Sequence, residues 1–155
     1  MYTNELKYLL NKAYTACSDS GIIPDSQEKL VAFQQRHKMT FPEEYRQLLE
    51  QFGSLRFIEP EIYGLNELEW AYPRSMDLIA EYRDQQAIPP EIELMPIGSF
   101  GDGDLLALQR GGAVYRLYHD GYEDSPLEWI AKDLPSLLTM ICEWALEVQQ
   151  KINKS

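Results

Sequence analysis

Sulfur and imidazole are scarce in this chain, and neither is grouped. Two cysteines, Cys17 and Cys142, and two histidines, His37 and His119, are spread over 155 residues in no CxxC or CxxH spacing. That excludes a disulfide framework and leaves a Cys/His zinc site without a ligand set. A single bridge would need the two cysteine-bearing helices to touch. Two buried thiols are the simpler expectation, because free cysteine behaves as a small hydrophobe. No apolar run approaches the ~18 residues of a membrane span. The opening, Met1 to Glu5, lacks the basic and apolar regions of a secretory leader. A cytoplasmic protein with no membrane partner is therefore expected. No repeat, linker or low-complexity tract divides the chain, so residues 1–155 are expected to form one domain.

Cations are the next shortage. Fourteen Lys and Arg stand against 25 Asp and Glu, a net charge of −11. Residues 1–56 are balanced at seven against seven, and residues 129–155 at three against three. Residues 57–128 hold fifteen acids against Arg74, Arg83, Arg110 and Arg116, which accounts for the whole excess. Such a middle repels nucleic acid and anionic membrane and favours a basic partner. Hydrophobic residues make up 45% and aromatics 12%, too many for a disordered acidic tail. The acid is displayed on a folded body.

Periodicity supplies the elements. Leu6, Leu9, Leu10, Ala13 and Cys17 share a helical face over Tyr2–Cys17. Asp25 with Glu28, and Thr40 with Glu43, resemble capping boxes opening two further helices. In the second, Pro42 suits the first turn, Tyr45, Leu48, Leu49 and Phe52 form the apolar stripe, and Gly53 can take a left-handed stop. Strands are expected at Leu55–Ile58, Ile62–Leu65, Leu94–Ile97, Leu105–Gln109 and Ala113–His119, with a short one at Pro126–Ile130. Gly111-Gly112 suits a tight hairpin. A helix is expected from Ser75 to Gln86. The last opens at Asp133-Leu134-Pro135, with Leu137, Ile141, Trp144, Val148 and Ile152 on one face. Turns and a hairpin between strands imply α+β: an antiparallel, or in part mixed, sheet of about five to six strands with about four to five helices.

The candidate chemistries are few. Asp102-Gly103-Asp104 and His119-Asp120 carry ligand types that suit a hard divalent cation. Hairpin pairing around Gly111-Gly112, with residue numbers summing to about 223, would set Asp104 opposite His119. The plainer reading has the aspartates solvated in a glycine turn and His119 at a strand end, and no metal or cofactor is assigned. Gly98, Gly101 and Gly103 make a poor phosphate cradle, since two aspartates intervene and a strand follows. No nucleophile lies beside a base, and His37 is well placed as a cation near a helix C-terminus. An enzyme is not expected.

Several motifs together carry a resemblance. The stretch KLVAFQQRHKMTFPEEYRQLLEQFGSLR, Lys29 to Arg56, places Phe41-Pro42, Tyr45, Leu48-Leu49 and Gly53 as in the opening of the SUKH superfamily. Ile62-Tyr63-Gly64 resembles the short strand that follows there. Pro96 to Asp120 resembles the later strand pair, with Gly101-Asp102-Gly103-Asp104, Val114-Tyr115 and His119-Asp120 in place. The family often shows Asn-Gly where this chain has Phe52-Gly53, and residues 1–24 add a helix to the core. The superfamily includes bacterial immunity proteins and fungal regulators of cell-wall synthesis. The resemblance implies a cytoplasmic immunity protein that binds a toxin, often a nuclease or deaminase, and supplies no catalytic residues. Its partner would be a basic toxin domain, and the chain itself a monomer or weak homodimer. The expected electrostatic face is Glu59, Glu61, Glu67, Glu69, Asp102, Asp104, Asp120, Glu123 and Asp124. Aromatic anchors among these acids are Tyr63, Trp70, Tyr72, Tyr118 and Tyr122. Trp70 and Tyr72, in a Pro-flanked loop Glu67–Arg74, are expected to be exposed. A regulatory interaction module on the same fold is the alternative, and a metal-dependent enzyme at Asp102, Asp104 and His119 a lesser one.

Overall fold

In the computed structural model, which describes residues 2–120 and 125–154, the chain begins with α1 (Asn4–Cys17). Thr3 caps it, accepting from the Leu6 N–H at 3.1 Å, and Leu6, Leu10, Ala13 and Tyr14 form the buried stripe. The cap of α2 (Gln27–His37) is Ser26 rather than Asp25, its hydroxyl accepting from the Lys29 N–H. Asp25 instead accepts from the Leu65 N–H at 3.1 Å, forty residues on. The Thr40 box does not form either, since α3 (Glu43–Gln51) starts after Pro42 without a side-chain cap. The α3 stripe is as expected: Tyr45, Leu48 and Leu49 are buried, Phe52 follows, and Gly53 sits at φ +80°.

Leu55 makes only an isolated bridge to Ile62, so the expected strand Leu55–Ile58 is absent and its partner shrinks to β1 (Glu61–Ile62). Leu65 already opens α4 (Leu65–Asp84), which runs unbroken across Pro73. The expected loop Glu67–Arg74 is therefore helix. A proline inside a helix costs roughly 3 kcal/mol. Burying Leu65, Leu68 and Ala71 ahead of it outweighs that cost, at about 1.5–3 kcal/mol for each large side chain.

The remaining elements are β2 (Leu94–Ser99), β3 (Leu105–Gln109), β4 (Val114–Leu117), β5 (Leu127–Ala131) and α5 (Leu134–Lys154). The five strands lie in sequence order, and every neighbouring pair is antiparallel. The class is α+β, without the mixed pairing left open by the sequence. Along β3 and β4 the pairs run from Leu105↔Leu117 to Leu108↔Val114, one residue short of the expected register. Gly111 takes φ +80° at the hairpin tip.

The sheet is covered on both faces at β2 and β3, which are buried along nearly their whole length instead of alternating, while β5 is left largely open. On one face Ile62, Met95, Ile97, Leu106, Leu108 and Val114 join side chains from α1, α2, α3, α5 and the first half of α4. On the other, Leu94, Leu105, Ala107 and Leu117 meet Ile79 and Tyr82 from the second half of α4, with Ile88. Asp133 caps α5 through the Ser136 N–H at 2.8 Å. The α5 stripe includes Leu137 and Ile141 but continues through Leu138, Cys142 and Ala145. Trp144 and Ile152, expected inward, are exposed. Both cysteines are free thiols; burial pushes that of Cys142 up to about 12.

Candidate protein-docking face

The β2–β3 turn brings the first acidic cluster together. Gly103, at φ +99°, lets the chain fold back so that the Phe100 N–H donates to the Asp104 carbonyl. Asp102 accepts from the Asp104 N–H at 3.1 Å. Asp104 is buried, with 3% of its side chain exposed. One carboxylate oxygen accepts from Arg116 Nε at 2.8 Å, and the other takes the His119 N–H at 3.0 Å and faces His119 Nδ1 at 2.5 Å. Arg116 Nη2 also reaches Asp102 at 2.7 Å, while its guanidinium lies over the rings of Phe100 and Tyr118. Asp104 and His119 thus meet as expected, although the register places them one step apart.

Ligand atoms of Asp102, Asp104 and His119 lie within 4.8 Å of one another. Arg116 already holds both carboxylates, so a cation would have to displace a guanidinium from them. Burial opposes the charge of Asp104, yet bonds from His119 and Arg116 together hold its carboxyl below the usual range. The hydrogen bond to Asp104 raises the His119 imidazole in turn. The cluster is an ion-pair latch closing the end of the sheet.

The second cluster, residues 59–69, adjoins the first. The Glu59 carboxylate accepts from the Gly101 N–H, and Glu61 pairs with Ser99 across β1 and β2. Two arginines from the balanced first third of the chain reach these acids. Arg56 lies 3.6 Å from Glu61 and 3.5 Å from Glu67, and Arg36 lies 2.5 Å from Glu69. Asp120 is exposed. Tyr122, Glu123 and Asp124 lie outside the described residues.

The aromatic candidates divide sharply. Trp70 is 58% exposed, its ring edge-on to that of Tyr63 at 6.2 Å between centroids. Tyr63 is itself buried, and its carbonyl accepts from the Tyr45 hydroxyl. Tyr72, expected in the open, is half-buried against Phe33 and His37, because a helix rather than a loop carries it. Tyr118 is half-buried under Arg116. Sequence reasoning missed Arg36 and Arg56 as counterions and missed Ile23, which is 65% exposed beside Trp70's helix. The one local signal for Ile23 is an apolar pair before Pro24, outside any helical stripe.

Residues 24–140, which hold α2 to the first part of α5 and both acidic clusters, match the SMI1 / KNR4 family (SUKH-1). The chain belongs to this family. No protein of curated function matches it. SUKH-1 membership agrees with the motifs from Phe41-Pro42 to His119-Asp120. It fits an immunity-protein or SMI1/KNR4-like role, and protein–protein interaction in general. Among the described residues of this SUKH-1 chain, no helix is long and apolar enough to cross a membrane.

Proposed function

We propose that this SUKH-1 chain is an immunity protein that acts in the cytoplasm, binding a basic toxin domain and blocking it without catalysis. The observation that carries the reading is the contact between the two acid-bearing stretches, where the Glu59 carboxylate accepts from the Gly101 N–H and Glu61 pairs with Ser99. That contact brings Glu59 and Glu61 to the turn that carries Asp102. Glu59, Glu61, Glu67, Glu69, Asp102 and Asp120 make up the proposed electrostatic face, with buried Asp104 bracing Arg116 behind them. A nuclease cleft must attract phosphate, so a folded acidic face competes for it directly. Opposite charge speeds encounter, and exposed anchors such as Trp70 slow dissociation. Family membership equally fits a regulatory interaction module, and the neighbouring gene separates the two, since an immunity gene normally adjoins its toxin. Co-expression with the toxin encoded immediately upstream is the test. A stable complex and restored growth are expected; no complex and no protection overturn the reading.

A further inference from the structure

Three segments far apart in sequence touch at one junction beside the acidic face, and two glycines permit it. A Cβ on Gly53 would lie 2.1 Å from the Ile23 carbonyl oxygen, and one on Gly64 would lie 3.0 Å from the Ser54 Cβ. The Asp25 N–H donates to the Leu49 carbonyl at 2.8 Å, while its carboxylate holds the Leu65 N–H. Two cavities of about 360 Å³ each flank this junction, and both are lined by Ile23, Ser54 and Arg56. One extends toward Tyr14 and Cys17, the other toward Glu67 and Trp70. Sharing these three residues, the two cavities adjoin as one groove over the close contacts of Gly53 and Gly64. Ile23 and Trp70, both more than half exposed, stand along it.

We infer that this groove receives a basic segment of the partner protein, in which an apolar side chain stacks on Trp70 and Ile23 while a neighbouring lysine or arginine reaches Glu67 and Asp25. The inference rests on the protein-binding reading above and locates its site. Charge selects the occupant: the two cavities are lined by the carboxylates of Asp19, Asp25 and Glu67 against the single guanidinium of Arg56. An acidic segment or a nucleic acid is repelled there. Arg56 stands 3.5–3.6 Å from its acids, longer than the roughly 2.7–2.9 Å of a strong charge-assisted bond. An incoming cation can therefore share Glu67 without breaking a tight pair. Asp25 gives independent support. Burial raises its carboxyl above the usual range and the charge of nearby Glu67 adds to the shift, so a cation placed beside Asp25 is favoured. Trp and Arg are also the side chains that most often dominate binding energy at protein interfaces.

The test uses the full chain, labelled with ¹⁵N, and a capped hexapeptide of alternating leucine and lysine, with an alternating leucine and glutamate hexapeptide as counterpart. Amide shifts on adding the basic peptide are expected to cluster at residues 19–25, 54–56 and 64–70, with none from the acidic one. Trp70→Ala is expected to weaken binding about tenfold with little change in melting temperature, and Glu67→Gln about threefold with the fold retained and the melting temperature slightly lowered. Shifts centred elsewhere, an equal response to both peptides, or full binding by Trp70→Ala overturns the site. Protection from the toxin with a silent groove would overturn this inference and leave the proposed function standing. Groove binding without protection would do the reverse.

Discussion

Asp104 and Glu67 both come from the acid-rich middle of the chain, yet they are held in different ways. Asp104 is fixed by contacts of 2.5–3.0 Å from Arg116 and His119, with its side chain all but closed to water. Glu67 has one guanidinium at 3.5 Å and a cavity beside it. A count of charges treats the two acids alike. Bond length and adjoining space separate a carboxylate that closes the fold from one that is loosely paired and borders a cavity. The contrast also divides the arginines: Arg116 is stacked and doubly bonded, and Arg56 is exposed and loosely placed.

The largest perturbation of this contrast is at the floor of the groove. Gly53→Ala places a Cβ in the left-handed region and against a backbone carbonyl, and is expected to cost about 3 kcal/mol in urea unfolding. An unchanged midpoint would show that the groove is soft. At the latch, Asp104→Asn is expected to cost about 2 kcal/mol, below the usual loss for a fully buried pair because Arg116 and His119 remain partly open to water.

Acidity probes the latch more gently. The Asp104 carboxyl is lowered, so its contribution is present above the unfolded carboxylate range and is lost as pH falls through the folded value. His119 is raised, so its contribution is present below about pH 6.5 and is lost as pH rises through the folded value. The latch is fully charged at roughly pH 5–6. Melting temperature is expected to decline above that window, and His119→Gln should flatten the decline. A slope that survives the substitution would assign it to other groups. Trp70→Ala is expected to shift stability least, within about 0.5 kcal/mol, and Glu67→Gln, at a side chain 16% exposed and 3.5 Å from Arg56, by up to about 1 kcal/mol, as measured by thermal melts. A loss at Glu67 equal to that at Asp104 would erase the distinction.

What could be read from the chain depended on the distance over which each signal acts. The α3 stripe and the Gly111 hairpin are local, written within a few residues, and both formed. The first half of α4 was misread because Pro73 is a local veto, whereas the burial of Leu65, Leu68 and Ala71 that overrides it is tertiary. Pairing of Asp104 with His119 was legible despite a register error of one, since a carboxylate reaches past its cross-strand neighbour. The contact of Glu59 with the turn at Gly101 was not legible, because it depends on β1 pairing with β2 almost forty residues later. For the same reason nothing in the sequence marked Arg36 and Arg56 as counterions for Glu69, Glu61 and Glu67.

Those two arginines bear on how the chain is made. Synthesis proceeds from the N-terminus, so Arg36 and Arg56 leave the ribosome before any of the three acids they will face. The acid-rich stretch thus emerges after Arg36 of α2 and Arg56 beyond α3 are already made. In the opposite order, Glu61, Glu67 and Glu69 would be made before either of the arginines that face them.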